Sequence, residues 1–111
     1  MRRSEFDAVY RDARRRSGRH FTLFVRPNGL AHTRFGISVK RELGGSVVRN
    51  RIRRRVREMF RLHRMEIPAG WDIVVHPRGS VATAEFSALE AELLNLLQNI
   101  GLTDKAGTKE S

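Results

Sequence analysis

The alternation of apolar and polar positions divides the chain into six segments of regular structure. Phe6, Val9, Tyr10 and Ala13 recur at i, i+3, i+4 and i+7, the stripe of a short amphipathic helix. Ser4, with Glu5 and Asp7 behind it, offers a capping hydroxyl and first-turn acids, and such a helix fades near Ser17-Gly18. The stretch "HFTLFVRP" (20–27) alternates and is rich in β-formers. Asn28-Gly29 then reads as a hairpin turn, which predicts that "LAHTRFGISVK" (30–40) returns as the partner strand. Gly44-Gly45-Ser46 breaks that strand and offers a cap to a following helix. After Pro68-Ala69-Gly70, the short apolar run "WDIVVHP" (71–77) has the character of a central strand covered on both sides. Thr83 caps a last helix in which Phe86, Leu89, Leu93, Leu94, Leu96, Leu97 and Ile100 bury one side, and Gly101 closes it. The order α-β-β-α-β-α predicts an α+β sandwich with helices packed on a small sheet. Residues 1–101 form a single domain in this reading, and 102–111 a flexible polar C-terminal tail.

The segment "VVRNRIRRRVREMF" (47–60) combines dense positive charge with a regular apolar beat. At 100° per residue, Val48, Ile52, Val56, Met59, Phe60 and His63 fall within one arc of about 120°. Asn50, Arg53, Arg54, Arg57, Arg61 and Arg64 fall within an arc of about 100° opposite. The apolar set docks the helix on a core, and the arginines make an exposed ridge. Most charge runs are solvated faces laced with acids, yet Glu58 alone lies among these arginines and falls outside their densest arc. Arg53–Arg57 and Arg57–Arg61 therefore repel at i,i+4, costing a few tenths of a kcal/mol per pair unless an anion covers them.

Charge placement extends that picture. The net charge is +10, and residues 40–64 carry ten Lys/Arg against Glu42 and Glu58, a local +8. The first twenty residues add seven arginines against three acids, whereas 79–111 hold two lysines and five acids. One face of the molecule is thus built for a polyanion, and nucleic acid is the partner such a patch predicts. Arginine suits bidentate phosphate contact, although a GC-rich coding bias would produce the same preference over lysine.

Other chemistry is thin. With no cysteine, disulfides, thiolate zinc sites and cysteine nucleophiles are excluded. His20, His32, His63 and His76 have no metal-ligand spacing, and Asp7, Asp12, Glu58, Glu66 and Asp72 form no obvious cation-binding set. No catalytic constellation and no metal site is expected. The longest apolar runs are too short for a transmembrane helix or secretory signal, and the lack of cysteine makes a reducing cytoplasm the expected compartment. Phe6, Tyr10 and Phe24 could stack unpaired bases, but periodicity alone favours plain core packing for them.

The stretch "FGISVKRELGGSVVRNRIRRRVREMFR" (35–61), followed by "IPAGWDIVVHPR" (67–78), closely resembles the protein subunit of bacterial ribonuclease P. Arg49-Asn50-Arg51 matches the family's RNR signature, with Arg53, Arg54 and Arg57 behind it at the expected offsets. Phe6 and Tyr10 match its paired first-helix aromatics, and Phe24 an aromatic position on the first strand. The match runs over roughly residues 1–101.

The resemblance implies a protein cofactor of a ribozyme. Its partners would be the catalytic RNA subunit and precursor tRNA, with no membrane and no obligate protein partner. The RNA subunit would hold the Mg2+ and cut the 5′ leader. The RNR helix (Arg49, Asn50, Arg51, Arg53, Arg54, Arg57, Arg61) would bind that RNA. Phe6, Tyr10 and Phe24, with Lys40 and Arg41, would line a cleft for the single-stranded leader, and Arg64 and Arg78 would add RNA contacts. The implied fold is ribosomal protein S5 domain 2-like, with about four strands, three helices and a left-handed β-α-β crossover. In it the 30–40 strand divides, giving α-β-β-(β)-α-β-α. Contacts from a basic N-terminal extension are not expected, because the chain begins almost at its first helix. Glu42 stands where many relatives are basic, and Arg55 lies about 100° beyond the edge of the arginine ridge.

Two rivals share parts of this pattern. A basic ribosomal or ribosome-assembly protein has the same α+β composition but should ignore an unpaired 5′ extension on tRNA. A protein-only nuclease would need the carboxylate cluster that is missing here.

Overall fold

The computed structural model describes residues 2–101. Helix α1 (Arg3–Asp12) leads into β1 (Arg14–Ser17), β2 (Phe21–Pro27) and β3 (Arg34–Ile37). Helix α2 (Ser46–Leu62), β4 (Trp71–Pro77) and α3 (Phe86–Asn99) follow, with single 3-10 turns at Arg41–Leu43, Arg64–Glu66 and Gly79–Ala82. The α+β class, the three helices and the four-stranded sheet agree with the sequence reading. The tail expected at 102–111 lies outside the described residues. Among the described residues, no helix is long and apolar enough to cross a membrane.

The sheet order is β1-β2-β4-β3, with β2–β4 antiparallel and β3–β4 parallel. The expected hairpin between β2 and β3 therefore does not form, because β4 lies between the two. Gly29 does turn the chain, at φ 71°. However, Asn28 donates from its backbone N–H to the Gly70 carbonyl (2.9 Å) and from Nδ2 to His32 O and the Asp72 carboxylate. These bonds splay the loop toward β4 and leave its central position to the most apolar strand. The fourth strand is also not a division of 30–40. It is β1, four exposed residues (Arg-Arg-Arg-Ser) that pair with β2 through their backbone and show no burial pattern. For the same reason α1 ends at Asp12 rather than fading at Ser17-Gly18.

Alternation along β2 and β4 sorts side chains to two faces. Phe21, Leu23, Val25, Ile73 and Val75 join Ile52, Val56, Met59 and Phe60 of α2 and Leu89, Leu93, Leu96 and Leu97 of α3 in the main core. The opposite face carries Phe24, Val74 and His76, against which α1 lays Val9 and Tyr10. The helices thus divide, with α2 and α3 forming one layer and α1 covering part of the other face.

Caps differ from expectation in detail. Arg2, not Ser4, precedes α1, and the Glu5 carboxylate accepts the Arg2 backbone N–H at 2.7 Å. Gly45, within the expected Gly44-Gly45-Ser46 stretch, is the N-cap of α2, but Glu85 rather than Thr83 precedes α3. Gly44, at φ 145°, makes the turn into α2, and a Cβ there would stand 3.0 Å from that of Val48. Two ionic clamps fix the helices. Arg34 binds the fully buried Asp72 through Nε and Nη2 (2.8 Å each) and reaches Glu5 of α1 through Nη1 (2.7 Å). Glu92 of α3 accepts the His20 and Phe21 backbone N–H groups across the β1–β2 turn, and only a glycine at position 18 leaves room for it.

Candidate RNA interface

Two surfaces carry the residues singled out above. The first is α2. Its apolar arc behaves as predicted: Ile52, Val56, Met59 and Phe60 are buried, and Val48 lies at the exposed margin. His63 is held between Glu66 (Nδ1, 2.6 Å) and Glu90 (Nε2, 2.9 Å), and chiefly the Glu90 bond raises its pKa above the ordinary 6.5.

The arginines occupy three adjoining hollows around the helix. Asn50, Arg53, Arg54 and Arg57 share one with the exposed Val47. Arg51, Arg54 and Arg55 share a second with Glu58 and Phe86. Arg57, Arg61 and Arg64 edge a third, floored by Phe35 and Phe60. The cationic surface therefore wraps farther around α2 than a single ridge, since Arg51 opens toward the start of α3.

Individual arginines differ in availability. Arg61 is engaged bidentately by Glu58 (3.0 and 2.5 Å), which holds that carboxyl below its ordinary range. Arg53 donates to Asn50 Oδ1 at 3.1 Å. Arg55 folds onto the protein, bonding the Ala84 carbonyl and lying 5.8 Å over Phe86. Arg49 is half-buried, with its Nε shielded and unbonded. Arg54, Arg57 and Arg64 are exposed, and among the described residues they have no ion-pair partner.

The second surface is an aromatic cluster between α1 and the sheet. Tyr10 lies 6.3 Å from Phe6 and 5.3 Å, edge to face, from Phe24. The structure thus brings together the three aromatics that periodicity alone would have left in the core. Tyr10 remains 41% exposed, so the cluster is open to solvent rather than sealed.

His76 completes the cluster, 4.9 Å from Phe24 and hydrogen-bonded through Nε2 to the Tyr10 hydroxyl at 2.7 Å. Sequence reasoning weighed this histidine only as a metal ligand. Its place beside Val74 in an alternating strand, sharing that residue's face two positions on, was the available signal. Arg15 stands 5.9 Å over Phe24, a position that only the β1–β2 register reveals. Burial first, then the charges of Lys40 and Arg15, depress the His76 pKa and favour its neutral ring. Burial pushes the Tyr10 phenol up, aided by Asp7 and opposed by the Ser38 hydroxyl.

Lys40 and Arg41 are exposed just beyond β3, with Lys40 near enough to act on His76. Arg78 is exposed and donates through one Nη1 bond to the Gly18 carbonyl at 2.7 Å. An open aromatic cluster rimmed by Lys40 and Arg15 can stack unpaired bases while its cations meet their phosphates. A rigid arginine helix can follow a structured backbone. Together they define an RNA-binding α+β protein.

Comparison with known proteins gives the family. The Ribonuclease P family model matches residues 1–101. The ribonuclease P protein component of Caldanaerobacter subterraneus is 37% identical over 101 residues, covering 91% of this chain and 87% of that protein. The RNase P protein from Thermotoga maritima, solved in complex with 1-(4-fluorophenyl)-2-thiourea, superposes with a TM-score of 0.79 at 37% identity, over 88% of this chain and 95% of that one. The Staphylococcus aureus RNase P protein superposes with a TM-score of 0.81 at 28% identity, over 94% and 95% of the two chains. The chain belongs to the ribonuclease P protein family, the protein component of a tRNA-processing ribonucleoprotein nuclease, and so has RNA as its partner.

Proposed function

We propose that this chain binds the catalytic RNA of ribonuclease P through α2 and grips the single-stranded 5′ leader of precursor tRNA in the cleft between α1 and the sheet. The observation that carries this reading is the separation of two RNA-suited surfaces on one rigid frame. An arginine helix lies on one face of the sheet, and an open Tyr10–Phe24–His76 cluster lies on the other. A duplex-bearing RNA needs backbone contacts from a rigid element, whereas an unpaired leader needs stacking platforms. Arg49, Asn50, Arg51, Arg53, Arg54, Arg57 and Arg61 serve the first, with Arg64 at the helix end. Phe6, Tyr10, Phe24, Lys40 and Arg41 serve the second, joined by His76 and Arg15.

Magnesium enters with the RNA, which supplies the hydrolytic chemistry of leader removal. Among the described residues, no group of three His, Asp or Glu side chains could hold a metal ion, and the protein's part is to bind and orient. The cytoplasm is the compartment this reading implies.

The test is precursor-tRNA cleavage at low magnesium by a bacterial ribonuclease P RNA, with and without this protein, and with the protein alone. Stimulation by the pair with none from the protein alone supports the reading. No stimulation of a competent cognate RNA would overturn the proposed cofactor role, and cleavage by the protein alone would overturn the assignment of the chemistry to the RNA.

A further inference from the structure

The third hollow beside α2 has a different character from the ridge it adjoins. It is a groove of 560 Å³ at the open edge of the sheet, within the size range of sites that hold small organic groups. Phe35 of β3 and Phe60 of α2 form its floor, with ring centroids 4.1 Å apart, and Ile67 closes one side. Arg57, Arg61 and Arg64 stand along one wall, and no carboxylate lines it. Arg61 is held by Glu58, which leaves Arg57 and Arg64 as the cations available to an anion at the mouth. On the other side runs β3, the edge strand, whose outward backbone groups have no strand partner among the described residues.

The groove is separate from the aromatic cleft. Phe35 pairs with Ile73, which pairs with Val25, whereas Phe24 pairs with Val74. The two aromatic floors therefore open on opposite faces of the sheet. Arg57 lines both this groove and the hollow formed with Asn50 and Arg53, so a strand following the arginines of α2 passes directly over its mouth.

We propose that this groove receives one unstacked nucleobase of an RNA strand lying along α2. A nucleotide matches each wall. The base faces are apolar and lie on Phe35 and Phe60, and the base edge has donors and acceptors for the open β3 backbone. The phosphate meets Arg57 and Arg64. An apolar side chain of a protein partner would fill the floor but leave these two cations uncompensated. The inference rests on the reading of α2 as an RNA-binding helix and adds to it a base pocket on the face opposite the leader cleft.

Photo-crosslinking of the full chain to a twelve-residue oligouridylate containing one 5-iodouridine tests it, with crosslinked peptides mapped by mass spectrometry. The expected result is a crosslink at Phe35, Phe60 or His32 beside any at Tyr10 or Phe24. Ala69→Glu and Ala31→Ile alter exposed positions at the groove mouth, the first by placing a carboxylate against the phosphate and the second by occupying space. Each should lower the groove crosslink about tenfold, the value of one stacked base, and leave those at Tyr10 and Phe24 unchanged. RNA bound but crosslinked only in the aromatic cleft or on the α2 arginines overturns the groove proposal and leaves the RNA reading intact. RNA not retained at low salt overturns the RNA reading itself, and the groove with it.

Discussion

Asp72 shows how a single charged residue can be fully buried in so small a molecule. Its carboxylate takes two bonds from Arg34 and one from Asn28, which compensate for lost hydration and hold its pKa below the ordinary value of 3.8. Arg34→Ala should destabilise the fold in urea unfolding by leaving the buried Asp72 carboxylate without its charged partner. The loss should be smaller than for a fully buried pair, because Arg34 is 31% exposed and Asn28 remains. The depressed carboxyl stabilises the native state above its unfolded pKa near 4, and that contribution disappears as pH falls through the lower folded value. Arg34→Ala should accordingly move the acid-unfolding midpoint upward, and an unchanged midpoint would remove the clamp from the account. His63 works in the opposite sense. Its raised pKa stabilises the protein fully below about 6.5, and the contribution is lost as pH rises through the folded value. In NMR titration, Glu90→Gln should lower the His63 midpoint, and it should flatten the fall in stability between about pH 6 and pH 8. A titration curve identical to that of the parent would show that another group sets it.

At the scale of the element, α2 contains arginines of two kinds that sequence spacing alone could not fully separate. Arg57 is exposed and lacks an ion-pair partner among the described residues, whereas Arg55 is tied to Ala84 and Phe86. If about six α2 cations contact RNA phosphates, the plot of log K against log salt should have a slope near −4 to −5. Arg57→Ala should make that slope shallower by about 0.7–0.9 with no loss of stability. Arg55→Ala should leave the slope unchanged and cost about 1 kcal/mol in thermal or urea unfolding. A parent slope near −1 would mean that the helix face is merely solvated. The apolar arc was legible because 3.6-residue periodicity is a property of the helix itself. The fate of Arg55 was not, because it depends on where Ala84 and Phe86 of a distant segment come to rest.

For the whole molecule, the question is whether the two RNA surfaces act separately. Tyr10→Ala removes the centre of the aromatic cluster, on the face away from α2. It should reduce the preference for leader-bearing over leaderless tRNA by about 1–3 kcal/mol and leave affinity for the RNA subunit unchanged, as measured by competitive binding of the two substrates. Equal weakening toward both substrates would place the leader elsewhere. Two surfaces on one frame also explain the charge asymmetry. The basic segments 2–19 and 40–64 carry α1, β1 and α2, the elements of the two surfaces, while the acids of α3 are partly spent inside the protein, Glu90 on His63 and Glu92 on the β1–β2 turn.

By itself the sequence determined the local periodicities and the charge. It placed the three helices, strands β2 and β4, the core-facing residues of α2 and α3, and the arginines that make RNA the partner. These follow from short-range geometry, in which each residue's neighbours lie within one or two turns of the chain. Only the tertiary structure decided that β4 enters between β2 and β3, because a turn signal at Asn28-Gly29 says nothing about the Gly70 and Asp72 contacts that splay it. It also decided that the all-polar Arg14–Ser17 is a strand, since backbone pairing leaves no imprint on side-chain pattern. The assembly of Phe6, Tyr10, Phe24, His76 and Arg15 into one open cluster belongs to the same category. Those five residues come from four elements, and only packing brings them onto one face of the sheet.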